Sequence, residues 1–389
     1  MPCLPDTSPL EFTDEIPAAM VAGIHRYLLR ETSAAPARRE RHWAMDFASR
    51  EAYAASVAPN RERFRKMIGA VDPRPERVDM QLVSTTDEPS LIASTDAYEV
   101  HAVRWQAAEG FTGEGLLLRP TGDPIARVIA LPDCDAVLDR ELPARNAVRL
   151  AAAGCEVIVP VLIDRDDEFS GHPNVRYTNQ PHREFVYRMA FEMGRHVIGY
   201  EVVKVMAAVD WCKAQDDLPV AVMGHGEGGL IALYAAACDE RIDAACVSGY
   251  FGPREDLHLE PIYRTVFGLL DEFGDAEIAR LIAPRPLIVE ASDHPDVTGP
   301  PEPRDGRTGA APGRIQTPPF AAVEAEVARA RVVYENLDAS AALQLTTDDA
   351  TDSLLASLGL PAAGGAEYEV AQQPTYPARA VRMKRQVEE

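Results

Sequence analysis

The distribution of apolar residues along the chain predicts alternating strands and helices. From Tyr98 to Trp105, apolar and polar residues alternate with the period of two that is typical of a half-buried strand. Several short, continuous apolar runs follow, and such runs are typical of strands covered on both faces. These runs are Gly115–Leu118, Arg127–Leu131, Glu156–Leu162, Pro219–Met223, Ala244–Ser248, Pro284–Glu290 and Ala342–Leu345. Because helical stretches separate most of them, we predict an α/β protein with a mostly parallel central sheet and helices on both faces.

Helical periodicity is clearest before the fourth of these runs and near the N-terminus. Val202, Val205, Met206 and Val209 have the i, i+3, i+4, i+7 spacing of an apolar helical stripe. In the N-terminal region, which is helical from about residue 16 to residue 67, Ile24, Tyr27 and Leu28 form a short amphipathic face. We therefore divide the chain into an N-terminal helical cap region (1–75), an α/β domain (76–360) and a C-terminal tail or linker (361–389).

Composition and charge argue against some classes of binding partner. The 389 residues include 61 acidic and 39 basic side chains, for a net charge of -22. This charge argues against nucleic-acid binding, which needs a basic surface, and it also disfavours anionic membranes. No run of about 18 apolar residues predicts a transmembrane helix, and the first residues lack the pattern of a signal peptide, which leaves localisation open.

The six cysteines indicate no metal or redox site. None of them has the C-x-x-C spacing of a zinc or thioredoxin-like motif, and most lie in apolar segments. The loop 164–182 is rich in aspartate and contains His172 and His182, but its spacings match no metal motif, and a solvated loop is the simpler interpretation. The sequence therefore predicts neither a metal nor a cofactor.

The glycine-rich stretch 219–230, PVAVMGHGEGGL, carries the strongest chemical signal in the chain. An apolar run enters it and an alanine-rich helical stretch leaves it, so it predicts a strand, a tight turn and a helix. Gly224 and Gly228 occupy the flanking positions of G-x-S-x-G, a turn that lifts a serine nucleophile above a sheet. The central position is Gly226, so the glycines of such a turn are present without its nucleophile.

The same glycines permit a second interpretation. Gly224, Gly226 and Gly229 fit G-x-G-x-x-G, a turn that binds the phosphates of dinucleotides. That motif belongs to the first strand–helix turn of its domain, with an acidic residue closing the next strand. Here earlier strands are predicted, and the next one ends in Gly249 and Tyr250, so we favour the first interpretation.

With its order of strands and its GHGEGG turn, the chain resembles the α/β-hydrolase superfamily, near the acetyl-xylan-esterase and dienelactone-hydrolase group. The resemblance covers roughly residues 98–358 and implies the α/β-hydrolase fold. It also implies a carboxylic-ester-hydrolase-like module with a catalytic Ser, then Asp or Glu, then His in chain order.

Mapped onto this chain, the resemblance implies a degenerate catalytic triad. The nucleophile position falls on Gly226, and the acid position falls on Asp293 or Asp296, which spacing does not separate. The histidine position falls in the loop 346–351, which contains none. The backbone N–H of Glu227 and one from around Cys134 would form the oxyanion hole.

These positions lead to a hypothesis and its alternatives. The hypothesis is a non-catalytic binding or scaffold module, with a carbohydrate ester or a second hydrolase module as its partner. The first alternative is an active esterase with a rearranged site, in which His225, His172 or His182 works with Asp293. The second is nucleotide binding at the glycine turn, whose backbone N–H groups suit a phosphate.

Overall fold

The structure is a computed structural model. It describes residues 5–8, 15–84, 89–136, 145–170, 179–303, 308–363, 384 and 386–387.

A twisted sheet forms the centre of the protein, with strands in the order β1-β3-β4-β6-β5-β7-β8-β9-β12 and β2 paired with β3. The strands of this sheet are β1 (Gln81–Leu82), β2 (Leu91–Ser94), β3 (Tyr98–Ala108), β4 (Phe111–Pro120), β5 (Arg127–Leu131), β6 (Glu156–Pro160), β7 (Val220–His225), β8 (Ala244–Ser248), β9 (Leu287–Glu290) and β12 (Leu343–Thr346). From β6 to β12 every neighbouring pair is parallel, whereas β3 and β4 are antiparallel to their neighbours. A separate antiparallel pair consists of β10 (Val297–Thr298) and β11 (Arg314–Ile315).

Helices cover both faces of this sheet. They are α1 (Ile16–Arg38), α2 (Arg50–Met67), α3 (Arg145–Ala152), α4 (His182–Glu192), α5 (Val197–Gln215), α6 (Glu227–Cys238), α7 (Leu269–Glu272), α8 (Asp275–Ile282), α9 (Phe320–Asn336) and α10 (Thr351–Ser357). Short 3₁₀ turns lie at Arg39–His42, Leu257–Leu259, Ile262–Arg264 and Ser340–Ala342. One apolar core lies beneath α2, α5, α6, α8 and α9, and a second lies beneath α3 and α10. The predicted fold class is therefore confirmed.

The two N-terminal helices, α1 and α2, pack differently. Helix α2 packs against α6 and α8, and its Tyr53 and Phe64 are fully buried in the larger core. The Tyr53 hydroxyl donates a 2.8 Å hydrogen bond to the carbonyl of Arg280 in α8. The structure therefore makes α2 part of the main core, whereas α1 lies outside it with most of its side chains exposed.

The described part of the predicted C-terminal tail is packed onto the domain. The Gln386 side chain is buried and donates a 3.1 Å hydrogen bond to the Thr112 carbonyl in β4. It also accepts a hydrogen bond from Lys204 in α5.

Among the helices of the described ranges, none is both long and apolar enough to cross a bilayer.

His196 caps α5 and is expected to make the stability of the protein depend on pH. Its Nδ1 accepts a 3.1 Å hydrogen bond from the Ile198 N–H, so its Nε2 carries the proton and donates to the Thr265 carbonyl at 3.3 Å. Burial lowers the pKa of His196 to about 4, because a charged imidazole would lose its hydration. The native protein therefore favours the neutral ring.

Replacing His196 with Asn is expected to flatten the pH dependence of stability between pH 6.5 and 4. In the unfolded chain a histidine gains its proton near pH 6.5, so the parent should lose on the order of 3 kcal/mol across this range. Asn keeps a capping oxygen but does not titrate. Urea unfolding at several pH values measures the difference, and equal slopes for the two proteins would contradict this role.

Candidate functional site

The glycine turn lies at the carboxyl end of β7, in the middle of the sheet. Strand β7 ends at His225, Gly226 follows, and α6 begins at Glu227. Gly226 has φ 58° and ψ -119°, a conformation that is costly for residues with a side chain. A Cβ on Gly224 would lie 2.0 Å from the Gly228 carbonyl oxygen, so the backbones approach too closely for side chains there. The structure thus has the strand–turn–helix that the glycines predicted.

Two side chains border the space that a side chain at position 226 would occupy. A Cβ built on Gly226 would lie 2.5 Å from Oδ1 of Asp133 and 3.2 Å from Nε2 of His294. The first distance is shorter than any normal contact, so a side chain at 226 requires Asp133 to move. The residues come from different elements, since Asp133 follows β5 and His294 follows β9.

The Asp133 carboxylate binds the backbone donor that the resemblance implied for the oxyanion hole. The Glu227 N–H donates a 2.9 Å hydrogen bond to Oδ1 of Asp133, and Arg165 Nη1 donates one of 2.8 Å to Oδ2. Burial alone would raise the pKa of Asp133, but Arg165 and the Glu227 N–H lower it to about 2. The donor is therefore occupied by an anion of the protein itself. Cys134, the other predicted contributor, is buried next to Asp133.

A buried network of arginines surrounds the Glu227 side chain. Its carboxylate accepts hydrogen bonds from Arg165 at 3.1 Å, Arg183 at 3.1 Å and Arg264 at 2.7 Å. Glu227 is fully buried, and these three charges outweigh the burial and hold its pKa well below the usual range. Arg183 also binds Glu201 through two hydrogen bonds. The Glu227 carboxylate is thus committed to the network and is not free to act as a nucleophile.

His294 is a site residue that the sequence analysis missed. The resemblance assigns the histidine to the loop after the last strand, which contains none, whereas His294 reaches the turn from the loop after β9. Thr317 holds the backbone of this loop, because its Oγ1 accepts a 2.7 Å hydrogen bond from the His294 N–H. A histidine therefore lies beside the turn, although it does not come from the loop 346–351 to which the resemblance assigned it.

The imidazole of His294 is held in its neutral form. Nδ1 lies 2.5 Å from the Pro295 carbonyl, to which it donates, and Nε2 accepts from Arg264 Nη2 at 3.2 Å. Burial and then the charge of Arg264 lower the pKa of His294. Its Nε2 also lies 3.9 Å from Oδ1 of Asp133, so this nitrogen lies beside the turn while its lone pair accepts from Arg264.

The two predicted acid positions do not form part of this cluster. Asp293 and Asp296 are both exposed, and the buried residue of the segment is His294, which lies between them. The carboxylate at the end of β9 is Glu290, whose oxygens accept from the Ser248 hydroxyl at 3.0 Å and the Ala350 N–H at 3.1 Å. The structure therefore does not support either aspartate as the acid of a triad.

The other candidate histidines have separate partners. His225 is partly exposed at the end of β7, and its Nδ1 lies 3.0 Å from the Ser248 hydroxyl. His182 is buried, with Nδ1 2.5 Å from Asp164 and Nε2 accepting from the Phe169 N–H at 2.8 Å. His182 therefore stabilises the loop that precedes it and does not lie in solvent. His172 lies outside the described residues. Neither His225 nor His182 is paired with Asp293.

The site has the composition of a metal centre, but arginines hold its ligand atoms. Asp133, Glu227 and His294 each offer one ligand atom, and these atoms lie within 4.8 Å of one another. Arg264 donates to both Glu227 and His294, and Arg165 donates to both carboxylates. The guanidinium groups supply the positive charge that a cation would bring. A phosphate at the start of α6 would likewise have to displace Asp133 from the Glu227 N–H.

Comparison with solved structures identifies the fold. No protein-family model matches the chain, and none of the curated proteins matches its sequence. A Bacteroides fragilis protein assigned as an acetyl xylan esterase superposes with a TM-score of 0.54 at 14% identity, over 87% of this chain and 84% of that one. A glucuronoyl esterase of the CE15 family from Teredinibacter turnerae gives 0.53 at 12% identity, over 80% and 84%. At such low identity the likeness shows the fold alone.

Proposed function

We propose that this chain, whose fold is that of the α/β hydrolases, is an esterase-like module without serine-esterase chemistry that acts in binding or as a scaffold. One observation carries the proposal: the Asp133 carboxylate lies where the nucleophile would stand and is bound to the Glu227 N–H.

The chemistry of ester hydrolysis explains why this observation matters. An oxyanion hole stabilises negative charge that appears only in the transition state. A permanent carboxylate on the same donor both blocks the developing oxyanion and repels it. Since Gly226 has no side chain to attack a carbonyl, two separate requirements of serine chemistry are unmet.

A protein of this fold can bind a ligand without catalysing a reaction. Ligands of open α/β sheets lie at the carboxyl ends of the strands, which is where Gly226, Glu290 and His294 lie. The proposed partner is a carbohydrate ester or a second hydrolase module. The first is tested by calorimetric titration with acetylated xylo-oligosaccharides.

A rearranged esterase is the second candidate, and His294 is the observation that favours it. The imidazole is neutral and its Nε2 lies beside the turn, so it has the form that a general base needs once a water molecule replaces the Arg264 N–H as the donor to Nε2. In this alternative, His294 would activate a water molecule, and the ester would be hydrolysed without a covalent intermediate.

The parent chain is expected not to hydrolyse p-nitrophenyl acetate above the rate of the His294→Ala variant. The reason is that neither a nucleophile nor a free oxyanion donor is available to raise the rate. Initial rates for purified protein measure this, with His258→Ala as the control because that histidine is exposed. Parent turnover that His294→Ala abolishes and His258→Ala preserves would establish the rearranged esterase instead.

A further inference from the structure

We propose that the segment 384–387, called the strap, closes a groove beside α4 and α5, and that it opens and closes in solution while the domain stays folded. The groove is thus a docking site whose occupant is a segment of the chain itself. The proposal is independent of the chemistry at Gly226.

The groove lies between the turn that joins β3 to β4 and the helices α4 and α5, and its volume is about 490 Å³. Phe111 and Tyr200 line it, with their rings packed edge to face at a centroid distance of 5.1 Å. Helix α4 contributes further apolar side chains, namely Phe185, Val186, Met189, Ala190 and Met193. Met189 and Met193 are largely exposed, and methionine side chains adapt to the shape of a bound segment.

Gln386 of the strap connects two elements that line this groove. Its side-chain N–H donates a 3.1 Å hydrogen bond to the Thr112 carbonyl in β4, and its side-chain oxygen accepts one from the Lys204 ammonium in α5. A carboxamide both donates and accepts, so this one side chain bonds to both groups. Because Lys204 is only 5% exposed, the closed strap keeps its ammonium away from reagents in the solvent.

Val387 gives the strap an apolar contact next to the polar one. It lines the groove and packs against the larger core. The described residues of the strap are helical, and Lys384 is exposed whereas Gln386 is buried and Val387 half-buried. The strap is therefore attached through two adjacent side chains, Gln386 and Val387.

The strap is attached less extensively than the helices that it covers. Most residues of α5 are buried, whereas Gln386 is the buried residue among those described in the strap. Segments with few buried side chains open at a lower free energy than core helices. Opening of the strap would uncover Lys204 and the Thr112 carbonyl without unfolding α5 or β4.

Charge favours this segment as the occupant of the groove. Four of the seven residues 379–385 are basic, whereas the whole chain has a net charge of -22. The segment that leads into the strap is therefore attracted to the protein on which it docks. Since salt screens this attraction, the strap is expected to open more often at high ionic strength.

Amine labelling of the full chain tests the proposal, because the chain has only four lysines, namely Lys66, Lys204, Lys213 and Lys384. Lys66 is exposed and serves as the internal reference. With the N-hydroxysuccinimide ester of acetic acid and mass spectrometry, Lys204 of the parent is expected to react at least about 10-fold more slowly than Lys66. The difference between Lys204 and Lys66 should decrease when sodium chloride is raised to about 0.5 M.

The double variant Gln386→Ala/Val387→Ser removes both contacts of the strap. Lys204 is expected to react at least about 10-fold faster in this variant than in the parent, with Lys66 unchanged. Unfolding of the domain would also accelerate Lys213, which is half-buried and paired with Asp243 at 3.0 Å, so an unchanged rate at Lys213 separates strap opening from unfolding.

A matched control makes the same substitutions away from the groove. Gln215→Ala/Val332→Ser changes two exposed residues, and Lys204 of this variant is expected to react as slowly as in the parent. Equal rates at Lys204 in the parent and in Gln386→Ala/Val387→Ser would overturn the proposal. A parent in which Lys204 reacts as fast as Lys66 would overturn it as well.

A fluorescein-labelled peptide of residues 379–389 tests which segment occupies the groove. In fluorescence anisotropy it is expected to bind Gln386→Ala/Val387→Ser at least about 10-fold more tightly than the parent, because the parent's own strap competes with it. The same peptide with Gln386→Ala is expected to bind more weakly. Equal affinity of the unchanged peptide for the two proteins, or no binding to either, would contradict the assignment of the groove to this segment.

Discussion

The double variant Gly226→Ser/Asp133→Ala is expected to hydrolyse p-nitrophenyl acetate at least about 100-fold faster than the parent. The serine supplies a hydroxyl at the turn, and removal of Asp133 frees the Glu227 N–H that its carboxylate now occupies. A single oxyanion donor contributes about 10²–10³ to the rate, and a positioned base about 10²–10⁴. Steady-state rates and labelling of the introduced serine by a fluorophosphonate both measure the result.

Neither single variant is expected to gain activity, for different physical reasons. In Gly226→Ser, the new Cβ would lie 2.5 Å from Oδ1 of Asp133, so the variant should lose stability, and its oxyanion donor stays occupied. In Asp133→Ala the donor is free, but no nucleophile is present. A gain in the double variant alone therefore identifies two coupled defects.

His294 is the expected base in the double variant. Its Nε2 lies 3.2 Å from the position of a Cβ at 226, so a serine hydroxyl there can replace the Arg264 N–H as the donor to this nitrogen. Adding His294→Ala should return the rate to that of the parent, whereas adding His258→Ala should not. A double variant that folds but neither hydrolyses the ester nor reacts with fluorophosphonate would refute this account of the site.

Glu227→Gln is expected to lower the free energy of unfolding by about 3–5 kcal/mol. Glu227 is fully buried and binds Arg165, Arg183 and Arg264, so its loss leaves buried guanidinium charges without their shared carboxylate. Glutamine keeps the volume of the side chain, which separates the effect of charge from that of packing. Equilibrium urea unfolding of variant and parent measures the change.

An exposed glutamate provides the matched control. Glu324 lies on the solvent side of α9, and Glu324→Gln is expected to change the free energy of unfolding by less than about 0.5 kcal/mol. If Glu227→Gln proves too unstable to purify, a soluble yield far below that of Glu324→Gln supports the same conclusion. A loss of less than about 1 kcal/mol would mean that water or movement of the arginines compensates for the missing charge.

The absence of a side chain at position 226 and the position of the Asp133 carboxylate depend on each other. Without a side chain at 226 there is room for the Asp133 carboxylate, and the Glu227 N–H and Arg165 hold it there. Once bound in this way, the carboxylate would have to move to admit a larger residue at 226. A substitution at either position therefore has consequences that depend on the other, which is why we propose testing them together.

The sequence by itself determined the sheet and the turn. Continuous apolar runs predicted the parallel strands because strands covered on both faces need apolar side chains on both. Gly224 and Gly228 predicted the tight turn because backbone contacts such as that between Gly224 and Gly228 leave no space for a Cβ. The apolar runs and the glycine spacing both reflect the conformation of residues that are close together in the chain. A sequence pattern can therefore reveal them.

Only the tertiary structure decided which groups meet at Gly226. Asp133 and His294 are far apart in the sequence, and neither loop matches a motif that would bring its side chain to the turn. Parallel strands bring the carboxyl ends of β5, β7 and β9 to one edge, and the hydrogen bonds of Thr317 and Arg264 then direct the imidazole toward the turn. No spacing rule encodes such a contact, because it depends on the path of two loops through space.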